Sequence, residues 1–283
     1  MQPAPSEVAY KMIITLSTIP PRFGSVGKTL VSILNQKLAV DQIILYIPQR
    51  YRRFPEWTGE LPSVPLGVLI RRTPDDLGPA TKILPAIREF AGRDVDILFC
   101  DDDVVYDASW SHRFATVRKT MPDVCIAEAG KDLPDINIAS RPRDRLPRMG
   151  ADTHNWRFRL SSMLKHRQRR ASKYSGSGYC DVFLGVSGVM VKSAFFSESV
   201  FEIPNILWTV DDYWLSGHLE ANGIPIWLNA DAPRRFDRPN RRVAALMALV
   251  HEDHDRHAAN QACVDYYRRT YGIWQPSAEL LSA

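Results

Sequence analysis

The apolar run Val95-Asp96-Ile97-Leu98-Phe99-Cys100 stops on three consecutive aspartates, Asp101, Asp102 and Asp103. A run of this kind reads as a buried strand that ends in a carboxylate cluster, and the carboxyl ends of strands in α/β sheets are where ligands bind. Alternate side chains of a strand face opposite ways, so Asp101 and Asp103 are expected on one side and Asp102 on the other. Converging carboxylates repel unless a cation neutralises them, and hard Mg²⁺ or Mn²⁺ is the ion that an oxygen set selects. The competing reading of the triplet is a solvated acidic turn.

The rest of the chain repeats the strand-and-helix alternation that such a sheet needs. Lys11 to Leu16 reads as a strand, Val26 to Gln36 as a helix and Gln42 to Ile47 as a strand, a β-α-β opening. Val64 to Ile70 is a further strand, Ala80 to Phe90 an amphipathic helix behind Gly78-Pro79, and Ser109 to Met121 another helix before the strand Val124 to Ala127. Order resumes with a strand pair over Asp181 to Val191, broken at Gly185 and Gly188, then a helix from Asp211 to Asn222 and a strand from Ile226 to Asn229. Helical segments follow at Arg241 to Val250 and Asp255 to Tyr271. This order predicts an α/β fold, a doubly wound, mostly parallel sheet flanked by helices, with a helical C-terminal segment. The 283 residues suffice for one domain, with a nucleotide-binding half at about 10–130, a variable insertion at 131–178 and an acceptor-side half at 179–283.

The insertion is basic. Between Arg141 and Lys173 there are eleven Lys or Arg residues against two acids, Asp144 and Asp152, although the whole chain has a net charge of only +4. A solvated insertion and an acceptor-binding or membrane-facing lid are both open readings. The few aromatic residues there, Trp156 and Phe158, argue against nucleic-acid binding by base stacking. The four cysteines, Cys100, Cys125, Cys180 and Cys263, are far apart and read as reduced, buried thiols. No window approaches the about 20 apolar residues of a membrane span, so a cytoplasmic protein, peripheral to a membrane at most, is expected.

Gly78-Pro79-Ala80-Thr81-Lys82 puts a glycine, a first-turn proline and a lysine where a helix begins, and helix N-termini attract phosphate. Lys82 is therefore a candidate phosphate or donor-sugar contact, or else an exposed lysine on an ordinary helix. Arg22 has a similar claim through bidentate pairing with phosphate. Asp211 and Asp212 open a helix, where one acid is explained as a cap. A second, hemmed by Trp208, Tyr213 and Trp214, suggests a desolvated carboxylate with the raised pKa of a general base. Trp208 and Trp214 are candidate platforms for a sugar face.

Taken in order, Thr15 to Arg22, Asp75 to Lys82, Asp101 to Asp103 and Trp208 to Trp214 resemble the motifs of GT-A fold glycosyltransferases over roughly residues 10–230. The resemblance implies a GT-A-like fold in which Thr15, Thr18, Arg22, Asp76, Gly78, Lys82, Asp101 and Asp102 bind a nucleoside diphosphate sugar. Asp103, with Asp101, would hold Mn²⁺ or Mg²⁺, and a late histidine, His251 before His254 or His257, would add a ligand. A solvated polar helix face accounts for the histidines equally. Asp212 matches the aspartate of the family's acidic pair and would deprotonate the acceptor hydroxyl, with Asp211 orienting the acceptor. The expected reaction is sugar transfer to a hydroxyl of a glycan or glycolipid, inverting. A retaining enzyme, a sugar-phosphate nucleotidyltransferase and a non-catalytic polyanion-binding protein are the alternatives.

Overall fold

The computed structural model describes residues 11–151, 174–232, 243 and 255–277. Its strands are β1 (Met12–Ser17), β2 (Gln42–Pro48), β3 (Val68–Thr73), β4 (Asp96–Phe99), β5 (Cys125–Ala127), β6 (Gly130–Lys131), β7 (Gly150–Ala151), β8 (Tyr174–Gly176), β9 (Gly178–Cys180), β10 (Val182–Phe183), β11 (Val189–Lys192) and β12 (Ile226–Leu228). Its α-helices are α1 (Gly27–Leu34), α2 (Leu84–Glu89), α3 (Trp110–Thr120), α4 (Asp211–Ala221) and α5 (Arg256–Tyr271).

Eight strands form one sheet in the order β3-β2-β1-β4-β11-β5-β12-β9. The pairs β3–β2, β2–β1, β1–β4 and β5–β12 are parallel, while β11 between β4 and β5, and β9 at the edge, run the other way. The α/β, mostly parallel architecture expected from the sequence is therefore the observed one.

Alternation in the central strands explains the two cores. Met12, Ile14, Leu16, Leu98 and Cys100 join α1 and α3 on one face, whereas Ile13, Ile97 and Phe99 join α2, α4 and α5 on the other. Both faces exclude water, which is why β1 and β4 are apolar at nearly every position.

Local chemistry moved several boundaries. The helix expected over Ala80 to Phe90 is split into a 3₁₀ turn, Gly78–Lys82, and α2, because Pro85 offers no N–H to a continuous helix. The strand expected from Val64 starts at Val68, after a turn in which Val68 N–H donates to Pro65 O and Gly67 takes φ 97°. The supposed insertion ends at Gly178, the first residue of β9, which completes the main sheet against β12. All four cysteines are free and buried, as expected. Among the described residues no helix is long and apolar enough to cross a membrane. The expected helix over Arg241 to Val250 lies outside the described residues, apart from Val243.

Candidate active site

Parallel strands deliver the loops after β1, β2, β3 and β4 to one edge of the sheet, and the candidate residues gather there. Asp102 is turned toward the α1 side. It accepts from the Thr18 hydroxyl at 2.6 Å and Arg22 Nη1 at 2.5 Å, and its own carbonyl accepts from the Thr29 hydroxyl at 2.8 Å. Burial pushes the Asp102 carboxyl up, opposed by Arg22 and by the hydrogen bonds from Thr18 and Arg22. Asp102 is thus an anchor that fixes the loop after β1, and Thr18 and Arg22 are committed to it.

The strict alternation expected at the triplet ends in a turn at Asp102 and Asp103. Asp103 comes within 3.9 Å of Arg22 Nη2, and its side chain is only 3% exposed. Asp101, at 29%, is the open carboxylate and faces the α2 and α4 side. There Lys82 Nζ stands 2.7 Å from Asp101 Oδ1 and 2.8 Å from Asp211 Oδ2, the latter contact being an ion pair without hydrogen-bond alignment. Burial would pull the Lys82 ammonium down, but Asp101, Asp211 and Asp212 together push it well above its ordinary value. Lys82 is consequently neither an exposed helix lysine nor a free phosphate ligand here, but the cation shared by two acidic elements.

Asp211 and Asp212 open α4 without capping it, since Val210 is the N-cap and has no side-chain cap bond. Asp212 Oδ1 instead accepts the Gly185 backbone N–H at 3.0 Å, and Arg256 Nη2 of α5 lies 4.0 Å from Oδ2. Desolvation, followed by the like charge of Asp211, pushes Asp212 up to about 7, against the pull of Lys82. That is where a general base works at neutral pH. Gly185 and Arg256 were missed as site residues by the sequence reading. The Gly185 to Gly188 spacing inside an apolar strand was a usable signal for the first, whereas nothing local marked Arg256.

Asp76 caps its own turn, accepting from Arg52 N–H at 2.8 Å and Gly78 N–H at 2.9 Å. Gly78 has φ 60°, and a Cβ there would lie 2.6 Å from the Trp208 carbonyl oxygen, so the turn needs glycine. Trp208 is buried, donates from Nε1 to the Asp76 carbonyl at 3.0 Å and stacks beneath the Arg52 guanidinium. Trp214, 1% exposed, donates to the Val200 carbonyl at 2.8 Å. Both indoles are buried, so the sugar-platform expectation is corrected: Trp214 packs in the core with α5, and Trp208 packs against the Gly78 turn. Thr15 is likewise buried inside β1, its hydroxyl without a partner among the described residues, which removes it from the ligand surface.

The donor type suits a divalent cation, since Asp101 and Asp103 carry the oxygens that Mg²⁺-type ions take together with phosphate, but Asp101 is paired with Lys82 and Asp103 stands 3.9 Å from Arg22 Nη2. Among the described residues there is no cluster of three or more metal-ligating side chains. His251 and His254 lie outside the described residues, and His257 is exposed on α5.

The basic segment corrects another expectation in part. Arg141 and Arg148 both pair with Asp181, at 2.5 and 2.6 Å, and both also reach Asp132, while Arg145 pairs with Asp144. Arg141 and Arg148 thereby staple the start of the segment to the turn between β9 and β10. They line a cleft of about 280 Å³ with Glu220 and Trp274, and none of the candidate site residues lines it. The remainder of the segment, 152–173, lies outside the described residues.

The fold and site define an α/β protein whose strand ends carry an acidic centre held by internal cations. No family model matches the chain, and no curated protein matches it. Among solved structures it is similar to residues 1–349 of S. aureus TarS, at 11% identity and a TM-score of 0.44, covering 93% of this chain and 72% of that one. A longer S. aureus TarS structure is matched at 10% identity and the same TM-score of 0.44, with 93% of this chain and 44% of that one covered.

Proposed function

We propose that the chain is a glycosyltransferase that moves a sugar from a nucleoside diphosphate sugar to a hydroxyl of a glycan or glycolipid, with inversion. The observation that carries this reading is Asp212, a carboxylate pushed up to about 7 and aimed by Gly185, whose neighbour Asp211 is joined through Lys82 to the open carboxylate at the end of β4. Asp212 takes the proton of the acceptor hydroxyl as that oxygen forms a bond to the anomeric carbon. The bond from that carbon to the diphosphate oxygen breaks on the opposite face, and the nucleoside diphosphate departs with the electron pair. Asp211, one residue away and ion-paired to Lys82, raises the proton affinity of Asp212 through its like charge. Asp102, Thr18 and Arg22 fix the loop after β1 against which the nucleotide would lie. Mg²⁺ or Mn²⁺ held by Asp101 and Asp103 would supply Lewis-acid stabilisation of the leaving diphosphate.

A thermal-shift panel of UDP, GDP, CMP and dTDP, each with and without Mn²⁺, tests the reading. At least one nucleotide is expected to stabilise the protein, and only with the cation present. Stabilisation that persists in excess EDTA overturns the metal assignment, and no response to any nucleotide overturns the proposed class.

A further inference from the structure

Lys82 occupies an unusual position for a lysine in a site proposed to hold a divalent cation. Its ammonium is 2.7 Å from Asp101 Oδ1 and 2.8 Å from Asp211 Oδ2, and its side chain is 6% exposed. The space for it is kept by a missing side chain: a Cβ on Gly185 would stand 2.8 Å from Lys82 Nζ and 3.0 Å from Asp212 Oδ1. Lysine is costly to bury, and the three carboxylates around it, Asp101, Asp211 and Asp212, are costly to bury without it. Each side therefore stabilises the other. Asp101 is also the most open of the triplet and the first a cation entering from solvent would reach. An ammonium on Oδ1 and a divalent ion on the same carboxylate repel, so each weakens the other's hold on Asp101.

We infer that Lys82 is a displaceable internal cation that competes with the divalent metal for Asp101 and yields when a nucleoside diphosphate arrives with it. The diphosphate brings negative charge that the ammonium can follow, so Lys82 exchanges a carboxylate partner for a phosphate one. The flexible four-carbon stem permits that movement, and α4 keeps Asp211 as the second anchor. In consequence metal alone binds weakly, metal with nucleotide binds strongly, and the site resists occupation by cations that carry no donor. The inference rests on the glycosyl-transfer reading of the same site.

The test is a titration of the full chain with Mn²⁺ alone, and with Mn²⁺ plus the nucleotide that gives the largest thermal shift. Lys82→Met is expected to bind Mn²⁺ alone about tenfold or more tightly than the wild type, while the gain in Mn²⁺ affinity on adding nucleotide shrinks. Gly185→Ala changes no charge but crowds the ammonium tip, and a severalfold tightening for Mn²⁺ alone is expected there too. It decides the matter if Lys82→Met does not fold. Unchanged affinity for Mn²⁺ alone in a folded variant overturns the role of Lys82. The Mn²⁺-only arm reads that role independently of nucleotide, whereas absence of nucleotide binding in the wild type counts against the glycosyl-transfer reading.

Discussion

Asp212 Oδ1 accepts the backbone N–H of Gly185 at 3.0 Å, so the carboxylate proposed as the base is oriented by a main-chain group. Gly185 lies in the short 3₁₀ turn between β10 and β11, and Asp212 in the first turn of α4. The bond leaves Oδ2 as the oxygen available to an acceptor hydroxyl.

Asp212→Asn keeps the oxygen that accepts from Gly185 but removes the capacity to take a proton. The expected loss in kcat is about 10² or more, with nucleotide affinity nearly intact. Normal turnover by the Asn variant would remove Asp212 as base.

The pH profile follows from the raised pKa. Asp212 carries a proton below about pH 7, so kcat/KM is expected to fall roughly tenfold per pH unit on the acid side of that value. An acid limb centred near the ordinary carboxylate range, around 4, would show that the base titrates in a more open setting.

His218 on α4 supplies a stability test of opposite origin. It is buried among Trp214, Tyr267 and Tyr271, and desolvation lowers it from 6.5 to about 4. The unfolded chain binds this proton below pH 6.5 while the folded chain does not, so stability is lost as pH falls from 6.5 towards 4. The loss approaches about 3 kcal/mol once both states are protonated. His218→Phe is expected to flatten that part of the stability curve, measured by urea denaturation, and an unchanged slope would refute the assignment.

Gly217 faces Tyr267, and a Cβ there would fall 2.1 Å from the ring. On a free helix Gly→Ala stabilises by about 1 kcal/mol, but here the overpacked α4–α5 contact is expected to cost about 1–3 kcal/mol. A rise in Tm for Gly217→Ala would mean that the two helices do not meet in this way.

Arg148 is a staple between Asp132 and Asp181, and Arg148→Ala is expected to lower stability by about 1 kcal/mol, because Arg141 remains paired with Asp181. If the variant is instead as stable as the wild type and detaches from anionic vesicles, the arginine belongs to a membrane contact.

Much of the sheet was legible because β1 and β4 are buried on both faces and must be apolar throughout. The polar edge strand β3 was displaced, and three-residue β9 was missed, since a strand with few buried positions leaves little periodic trace. The carboxylate cluster after β4 and the acidic start of α4 were visible as composition at element boundaries. Their partners were not.

Sequence by itself determined which segments are buried and which loops carry charge, because burial of apolar side chains acts residue by residue and leaves its period in the chain. Only the tertiary structure decided that Lys82 joins Asp101 to Asp211, that Arg22 is spent on Asp102 and that Trp208 and Trp214 turn inward. Those outcomes depend on distances between segments far apart in the chain, where an ammonium or an indole settles against whichever neighbours the packed helices bring to it. Local pattern has no access to that choice.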